Sequence, residues 1–244
     1  MSAPREWDAS TYDRVATPLT RRGIAALEGL ALDGDETVLD AGCGTGRVTE
    51  WLLGRLPRGR VIALDGSARM IEEARARLGG DGRVTFVQAD LGLPLPLEGP
   101  VDAIVSTSTF HWVRDHDALF ANLHAALRPG GRLRADCGGA GNVARVLTAV
   151  RELGVAGDPW TFATPEETLG RLARAGFADA TARLVPRPMP LEPEDLPDYL
   201  RTVVLGPFVD SLDDDETARL VGAVAERLPD AVLDYVRLEL GARA

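Results

Sequence analysis

A run of alternating glycines behind a carboxylate is the part of this chain with the clearest chemical potential. The strand-like segment Thr37–Asp40 ends on an acid, and Gly42, Gly44 and Gly46 follow before a helical pattern begins. Glycine permits positive φ and close approach of the backbone to a ligand, and the free N–H groups of a helix start can face that ligand. The segment therefore predicts a strand, a tight turn and a helix N-terminus that together bind a nucleotide-like molecule.

The spacing of these glycines separates the turn from two familiar phosphate-binding loops. A dinucleotide-binding turn follows G-x-G-x-x-G, whereas the position after the third glycine here is Arg47. A P-loop requires Gly-Lys-Ser/Thr after its glycines, and this chain contains no lysine. The spacing thus disfavours an NAD-binding oxidoreductase as well as a P-loop protein.

Two further acids stand at the ends of the next two predicted strands. Val61–Leu64 ends at Asp65, and Arg83–Gln88 is followed after one residue by Asp90 and Leu91. An ionised carboxylate offers two acceptor oxygens, so an acid at the end of the second strand of a Rossmann-type sheet can accept both hydroxyls of a ribose. Asp65 is therefore predicted to bind a ribose.

The order of the remaining patterns predicts the fold. Helical periodicity follows Ser67 as far as Leu78, and a fourth strand, Val101–Val105, leads into Ser106. After it come a helix over 117–127, a Pro-Gly-Gly turn, a fifth strand, helices over 142–153 and 165–175, and strands over 181–185 and 234–240. Strands alternating with helices indicate βαβ units. The predicted fold class is α/β, with a Rossmann-like, seven-stranded, mostly parallel sheet and helices on both faces.

Together these motifs resemble those of the class I S-adenosylmethionine (SAM) dependent methyltransferases. The run D-x-G-x-G-x-G from Asp40 is similar to their motif I, Asp65 to Met70 follows their D-x-S-x-x-M pattern, and L-x-P-G-G from Leu127 matches their turn before strand five. The resemblance implies that SAM is the cofactor, with Met70 near its adenine and Asp90 accepting from the adenine amino group. It assigns cofactor binding also to Asp40, Gly42, Cys43, Gly44, Gly46, Asp65, Gly66, Ser67, Leu91 and Ser106.

Two cofactor-side candidates have an alternative interpretation. Asp40 is either an acceptor for the cofactor or a residue that stabilises the turn. Tyr12, in the N-terminal segment, either closes on the cofactor or anchors that segment to the rest of the fold.

Several local patterns are similar, more narrowly, to the trans-aconitate methyltransferase group. They begin at Trp7 (W-D…Y-D), Phe110 (F-H-W-V), Gly138 (G-G-A-G-N-V), Pro159 (P-W-T-F) and Arg187 (R-P). One departure is that Ser106-Thr107-Ser108-Thr109 stands where that group often has Asn-Ala after the serine. The narrower resemblance implies a small carboxylic acid as the methyl acceptor.

The acceptor-side candidates follow from the edge of the sheet at which ligands bind in such folds. Ser106–Trp112 lies at that edge, so His111 and Trp112 are predicted to line the methyl-transfer site, or else only to pack against a lid. Trp160 is predicted to bind the acceptor. Arg187 is either a bidentate partner for an acceptor carboxylate or a solvated surface residue. Of the other histidines, His116 is predicted to be a loop residue before an N-cap at Asp117, and His124 a partly exposed helix residue.

The whole chain, 1–244, is predicted to be one methyltransferase domain. Residues 1–30 form an N-terminal helical segment, and residues 186–230 form a helical insert between the last two strands, with helices over 195–204 and 213–228. We interpret the insert, with the N-terminal segment, as a lid over the acceptor site. The alternative is a pair of helices that only extend the core.

Composition and charge limit the classes of partner. The net charge is −10 and the basic residues are all arginine, without the basic face expected of a nucleic-acid enzyme or for binding to anionic membranes. No apolar run is long enough to span a bilayer, the first residues lack a signal-peptide core, and two cysteines suggest no disulfide framework. These observations predict a cytoplasmic monomer or homodimer with a small-molecule substrate and without a metal.

The predicted function is methyl transfer from SAM to a small-molecule acceptor. Two other functions remain open at this point. The chain could bind SAM for a different reaction, such as a cyclisation that uses the sulfonium charge, or bind it without catalysis. Formation of S-adenosylhomocysteine (SAH) in the presence of an acceptor distinguishes these alternatives.

Overall fold

The seven-stranded sheet predicted from the sequence is the centre of the fold. The computed structural model describes residue 6 and residues 17–244, with side chains described for residue 6 and from residue 20 onward. The strands are β1 (Thr37–Ala41), β2 (Arg60–Asp65), β3 (Val84–Gln88), β4 (Val101–Thr107), β5 (Leu127–Gly138), β6 (Ala178–Pro186), β7 (Met189–Pro190), β8 (Val232–Leu233) and β9 (Val236–Arg243). All but β7 and β8 belong to the main sheet.

The strand order of the main sheet is β3-β2-β1-β4-β5-β9-β6. The first five strands are parallel, and β9 lies antiparallel between β5 and β6. The chain order reverses between β1 and β4, and ligands bind beyond the carboxyl ends of the strands at such a switch point. The predicted fold class is therefore confirmed, and the sheet brings the carboxyl ends of β1, β2 and β4 to one edge.

Nine α-helices occur in the described part of the chain. They are α1 (Thr17–Leu27), α2 (Arg47–Arg55), α3 (Ala68–Leu78), α4 (His116–Ala126), α5 (Ala144–Glu152), α6 (Pro165–Arg174), α7 (Leu196–Tyr199), α8 (Gly206–Val209) and α9 (Asp214–Ala225). A 3₁₀ turn spans Phe110–Trp112, and a π-helical turn spans Leu200–Val204. None of the helices described combines the length and hydropathy needed to cross a membrane.

The core has two layers, because neighbouring residues of a strand point to opposite faces. Val38 packs toward one face, with Leu27 of α1 and Leu52 of α2. Leu39 packs toward the other, with Phe120 of α4 and Leu172 of α6. All six side chains are almost fully buried, and each contributes roughly 1.5–3 kcal/mol through burial of apolar surface.

The N-cap residues of two helices, α6 and α4, can be compared with those predicted from the sequence. Thr164 caps α6 as predicted, with Pro165 in the first turn and Glu167 completing a capping box. The N-cap of α4 is Asp115, not Asp117, because the Asp115 carboxylate accepts from the N–H of Ala118 at 2.9 Å. The helix therefore begins at His116, which is buried and not a loop residue.

Several strands have different bounds from those predicted, and β5 and β9 show the reason. The turn at 128–131 lies inside β5, because β5 already pairs with β4 at Leu127 and resumes pairing at Arg132 after an irregularity. Gly130, within that turn, has a φ of 74°. The last strand runs to Arg243 because its pairing with β5 continues past Leu240, as far as Arg132.

The insert between β6 and β9 forms its own apolar cluster. Its first predicted helix is broken into α7, the π-helical turn and α8, with Pro207 in the first turn of α8. The second is α9, with Asp213 as its N-cap. Leu200, Val204 and Val224 of the insert pack in one buried cluster with residues of α5 and with Trp160. Strands β7 and β8 pair with each other at the base of the insert.

Candidate cofactor turn and acceptor cavity

The turn after β1 needs glycine at two positions for different reasons. Gly42 and Gly44 both have positive φ, 85° and 53°. A Cβ on Gly42 would lie 2.1 Å from Oγ1 of Thr109, so the Thr109 side chain leaves no room for one. A Cβ on Gly44 would meet nothing within 4 Å. Gly42 therefore allows close packing on the loop after β4, whereas Gly44 faces open space that a ligand can occupy.

Gly46 completes the turn as the left-handed N-cap of α2, with a φ of 85°. The N–H groups of Gly42 and Cys43 both donate to the carbonyl oxygen of Leu64, at 2.8 and 2.9 Å. These bonds hold the turn against the end of β2. The Cys43 side chain is buried against Ile71 and other residues, so only its backbone is available to a ligand.

Asp65 links the turn to the start of α3. Its Oδ2 accepts from the N–H of Gly44 and its Oδ1 from the N–H of Ser67, each at 2.9 Å. Burial raises the pKa of Asp65 above its ordinary value, against the effect of these amide bonds, and the charge of Glu6 adds to the rise. Each carboxylate oxygen keeps acceptor capacity beyond one amide bond, so Asp65 can still accept from ligand hydroxyls.

Glu6 lies at the N-terminus of α3, beside Ser67. Its Oε2 accepts from the hydroxyl of Ser67 at 2.8 Å, and its Oε1 accepts from the N–H of Ala68 at 3.0 Å. These hydrogen bonds lower the pKa of Glu6, with the one from Ser67 as the largest cause. Tyr12, the other predicted N-terminal contact, lies outside the described residues.

Asp40 is fully buried at the end of β1. Its Oδ2 accepts from the hydroxyl of Thr49 at 2.7 Å, while its Oδ1 has no hydrogen-bond partner in the described part of the chain. Burial raises the pKa of Asp40 to about 7, assisted by the charge of Asp65. An unpaired buried acceptor is costly, so this oxygen fits an ordered water or a donor on a bound ligand.

The other predicted cofactor residues differ in what their side chains can reach. Asp90 is half-buried, and one oxygen accepts from the N–H of Gly92 at 2.8 Å, leaving the other for a ligand. Gly66 lies between Asp65 and Ser67, and Ser67 caps α3 through the N–H of Met70. Met70 and Leu91 are buried, so they act as packing at the rim of the turn.

Ser106 does not bring its side chain to the open face of the turn. It is 1% exposed, and its hydroxyl donates to the carbonyl oxygen of Ala41 at 2.6 Å. This bond joins the ends of β4 and β1. We therefore interpret the Ser106 side chain as holding two strand ends together, and its predicted contact with the cofactor gains no support from this placement.

An aromatic cavity lies beyond the loop after β4. Its volume is about 40 Å³, and it is lined by Ser108, His111, Trp112, Asn142, Val143, Trp160, Phe162, Val203, Val204, Tyr235 and Arg237. Thr109 touches Gly42 while its neighbour Ser108 lines the cavity, so the loop joins the turn to the cavity. The structure thus brings His111, Trp112 and Trp160 together, as predicted for an acceptor site.

Ring stacking fixes the aromatic wall of this cavity. The centroid of Phe162 lies 5.7 Å from that of His111 and 5.4 Å from that of Trp160, with near-parallel planes in both pairs. Trp112 meets Trp160 edge to face at 5.6 Å. Aromatic pairs at these separations attract each other, so the wall presents a rigid apolar surface to a ligand.

His111 is a neutral hydrogen-bond donor in this setting. Its Nδ1 accepts from the N–H of Gly138 at 3.3 Å, which assigns the ring proton to Nε2. Burial holds its pKa well below the ordinary value of 6.5, and the charges of Arg237 and His116 lower it further. With Nδ1 occupied and Nε2 protonated, His111 can donate to a ligand oxygen but is not arranged to remove a proton.

Arg237 is the cavity residue that sequence reasoning missed. Its guanidinium donates through Nε and Nη2 to Oδ1 of Asp136, and through Nη2 to the hydroxyl of Ser108 at 2.9 Å. The desolvation cost of burying both charges is offset by the attraction between them. The signal was present in the sequence, because Tyr235, Arg237 and Glu239 alternate with apolar residues in the last strand and so share one face.

Arg187 does not lie where the carboxylate prediction placed it. It is absent from the cavity lining, its side chain is 52% exposed, and its Nη2 lies 3.6 Å from Oε1 of Glu239. The buried carboxylate of Glu239 therefore holds Arg187 at the sheet, away from the cavity. Arg187 therefore fits the alternative interpretation, an exposed surface arginine, and we do not assign it to the acceptor site.

Among the described residues no cluster of His, Cys, Asp or Glu is arranged to hold a metal ion.

Three groups of known proteins are similar to this chain. A family model described as "Methyltransferase domain" matches residues 38–131, which include β1 to β4 and the glycine turn.

Two curated relatives carry the same name. The chain is 38% identical over 128 residues to trans-aconitate 2-methyltransferase of Acidovorax ebreus, a match covering 52% of this chain and 48% of the relative. It is 32% identical over 179 residues to that of Rhizobium etli, covering 73% of this chain and 68% of the relative. The match to the Acidovorax protein thus spans about half of that relative's length.

A solved structure supports the same fold over nearly the whole chain. Phosphoethanolamine N-methyltransferase 2 of Haemonchus contortus, in complex with S-adenosyl-L-methionine, superposes with a TM-score of 0.65 at 18% identity, covering 96% of this chain and 56% of that one. The curated relatives, the motif order, the sheet and this structural match together identify the chain as a member of the class I SAM-dependent methyltransferase family, related to the trans-aconitate 2-methyltransferases.

Proposed function

We propose that this protein transfers a methyl group from SAM to a small carboxylic acid held in the aromatic cavity. The observation that carries the proposal is the loop after β4, in which Thr109 packs on Gly42 of the glycine turn while Ser108, His111 and Trp112 line the cavity. A cofactor on the turn and an acceptor in the cavity would therefore meet along one short segment.

The residues present fit SAM. Gly44 leaves open space beside the turn, Asp65 has spare acceptor capacity for ribose hydroxyls, and Asp90 has one oxygen free of hydrogen bonds to described residues. The unpartnered Oδ1 of Asp40 is fully buried, so it fits a buried water that bridges to the ammonium group. When bound, SAM supplies an activated methyl group on a positively charged sulfur.

The protein's own residues then have a limited task. Methyl transfer needs alignment of the two reactants and exclusion of water more than proton chemistry. A carboxylate acceptor needs no general base, which agrees with a neutral His111 whose Nδ1 is already occupied. We assign His111 the role of donating to an acceptor oxygen, and Trp112 and Trp160 the role of packing against the acceptor's carbon skeleton.

The acceptor class rests on the chemistry of the cavity. Its lining contains no Asp or Glu among the described residues, although the chain carries ten more acidic than basic charges. A negatively charged molecule therefore meets no carboxylate in the wall. The curated relatives are named trans-aconitate 2-methyltransferase, which agrees with an acid acceptor.

The cellular setting and the lid are parts of the same proposal. A net charge of −10 supports a small-molecule substrate in preference to nucleic acid, and we place the protein in the cytoplasm as a monomer or homodimer.

We also propose that residues 186–230 form a lid. Val203 and Val204 of the insert border the cavity, so a movement of the insert would open or close the acceptor site.

The test is a screen of small organic acids, scored by transfer of labelled methyl from SAM and by formation of SAH. We expect labelled ester with at least one di- or tricarboxylic acid, including trans-aconitate in the panel. SAH formed without a labelled product would indicate a different reaction of SAM. SAM binding without SAH, across acids, phenols and amines, would instead indicate a binding protein and contradict the proposal.

A further inference from the structure

We infer that Arg237 anchors a non-reacting carboxylate of the acceptor through its Nη1 group, and that Asp136 and Ser108 position the guanidinium for this contact. The inference rests on the proposed function, because it assigns a residue to the acceptor site of that reaction. It also replaces Arg187, which the sequence favoured, by a buried arginine on the neighbouring strand.

The hydrogen bonds of Arg237 leave one side of its guanidinium available. Nε and Nη2 donate to Asp136, and Nη2 also donates to Ser108, while Nη1 makes no hydrogen bond to a described residue. Nη1 is also not among the buried atoms without a partner. Arg237 borders the cavity and its side chain is 6% exposed, so we assign the accessible surface of Nη1 to the cavity.

Arg237 is held more firmly than a surface arginine. Asp136 and Arg237 lie on neighbouring antiparallel strands, two register positions apart, with Asp136 opposite Glu239 and Arg237 opposite Gly138. Ser108 is also tied to Asp136, because its N–H donates to the Asp136 carbonyl oxygen at 2.7 Å. An arginine fixed in this way loses little further side-chain freedom when a ligand binds.

Two of the four described non-glycine residues with positive φ line the cavity. Ser108 and Val143 both have positive φ, 55° and 47°, and both line the cavity. Non-glycine residues rarely adopt this conformation, and for the branched side chain of valine it is a true outlier. Strain of this kind gathers at binding sites, where the surrounding structure holds it. At Ser108, the positive-φ conformation positions the hydroxyl that accepts a hydrogen bond from Arg237.

Two further donors accompany Arg237 in the wall. The Oδ1 of Asn142 accepts from the N–H of Val236 at 2.9 Å, which leaves its NH₂ group without a described partner. His111 presents Nε2–H, since its Nδ1 accepts from Gly138. One guanidinium and two neutral donors, with no carboxylate among the described lining residues, are the complement of an oxygen-rich anion.

The arrangement also limits the acceptor chemically. A carboxylate bound to a guanidinium has lone pairs engaged in charge-assisted hydrogen bonds, which makes it a poorer nucleophile than a free one. The oxygen that receives the methyl group must therefore belong to another part of the molecule. We infer an acceptor with at least two anionic groups, one held by Arg237 and another directed toward the cofactor turn.

The experiment measures binding of trans-aconitate to the SAH-loaded protein by calorimetry. We expect Arg237→Gln to weaken trans-aconitate binding roughly tenfold or more, because it removes a charge-assisted contact, while SAH affinity is unchanged. The matched control is Arg187→Ala, which removes an arginine outside the cavity and should leave both affinities within about twofold.

Two additional measurements keep the test decisive if Arg237→Gln leaves Asp136 unpaired and unfolds. The double variant Asp136→Asn/Arg237→Gln removes both buried charges together, and it should fold and show the same loss of trans-aconitate binding. In the wild-type protein, the trimethyl ester of trans-aconitate has no charge and should bind at least tenfold more weakly than the acid.

The outcomes separate this inference from the proposed function. If the wild type methylates only uncharged acceptors, or if the folded Arg237 variants bind trans-aconitate as the wild type does, Arg237 is not the anchor although methyl transfer stands. If no acid of the panel binds the SAH-loaded wild type, the anchor is likewise excluded. Failure to bind SAH or SAM at all would instead contradict the proposed function.

Discussion

The N–H of Gly44 donates to Oδ2 of Asp65 over 2.9 Å, and this bond joins the glycine turn after β1 to the end of β2. The partner oxygen, Oδ1, is held by the N–H of Ser67 at the start of α3. Asp65 therefore orients two backbone segments of the proposed cofactor site. A residue in this position affects cofactor affinity both by direct contact and by the shape of the turn.

The first prediction concerns Asp65→Ala. We expect the affinity for SAM and SAH to fall at least tenfold, because each charge-assisted hydrogen bond lost contributes roughly 1.5–3 kcal/mol. The fold should survive, since burial already disfavours the ionised form of this carboxyl. Calorimetry measures the affinity, and Glu72→Ala removes an exposed acid from α3 as the control. Unchanged SAM affinity would show that the ribose binds elsewhere.

The second prediction compares two glycines with similar backbones. Gly44 and Gly130 both have positive φ and both have room for a Cβ, but only Gly44 borders the proposed cofactor space. Gly44→Val and Gly130→Val should therefore lose comparable stability, of the order of 1–3 kcal/mol. Only Gly44→Val should abolish SAM binding in calorimetry. Normal SAM binding by folded Gly44→Val would mean that the turn does not touch the ligand.

The glycine turn and the parallel strands were predictable because their signals are local. Gly42, Gly44 and Gly46 lie between a strand pattern and a helix pattern, and a turn of that kind depends on φ values that few other residues adopt. Asp65 is found by the same reasoning, since it ends the next strand of a βαβ unit. In each case a few neighbouring residues determine the backbone.

The buried arginine of the acceptor cavity was not predictable in this way. Asp136 and Arg237 are 101 residues apart in the chain, and their contact depends on the register of two antiparallel strands. The sequence offers several arginines near the site, and burial alone distinguishes Arg237 from exposed Arg187. Ser106 shows the same limit, because a strand-end serine can face either a ligand or, as here, the carbonyl of Ala41.

The third prediction links Asp40 to the pH dependence of stability. Burial raises its pKa from 3.8 to about 7, so between these values the folded protein binds a proton that the unfolded chain has lost. Stability supplied by this group is therefore complete below about pH 4 and is lost as the pH rises toward 7, by roughly 4 kcal/mol in total. Asp40→Asn cannot ionise and should not show this loss.

Urea unfolding at pH 5 and pH 8 measures the effect. Relative to the wild type, Asp40→Asn should be more stable at pH 8 than at pH 5, whereas Asp214→Asn, at an exposed acid of α9, should show no such difference. An equal change at both pH values would mean that Asp40 does not titrate in this window. Asp40→Asn should also weaken SAM binding if Oδ1 is an acceptor for the cofactor.

The fourth prediction concerns the pH dependence of turnover. The pKa of His111 lies well below 6.5, because of burial first and then the charges of Arg237 and His116. His111 is therefore neutral through the ordinary assay range, and kcat with an acid acceptor should stay constant from about pH 6 to 8. His111→Gln should lower kcat without changing the shape of this profile. A rise in kcat with a midpoint between pH 6 and 8, removed by His111→Gln, would identify a general base instead.

The last prediction tests whether the insert moves. Val203 and Val204 lie in the π-helical turn that borders the cavity, and such turns occur frequently at functional sites. If the insert is a lid, this wall opens to admit the acceptor and closes once the acceptor is bound. Hydrogen exchange in 190–229 should therefore be faster in the free protein and slower when SAH and trans-aconitate are both bound, because closure orders a region of low stability. Helix α6 is the internal control, since none of its residues lines the cavity, and its exchange should not change. If 190–229 exchanges at the same rate in free and bound protein while calorimetry shows that both ligands are bound, the insert is a fixed extension of the core and not a lid.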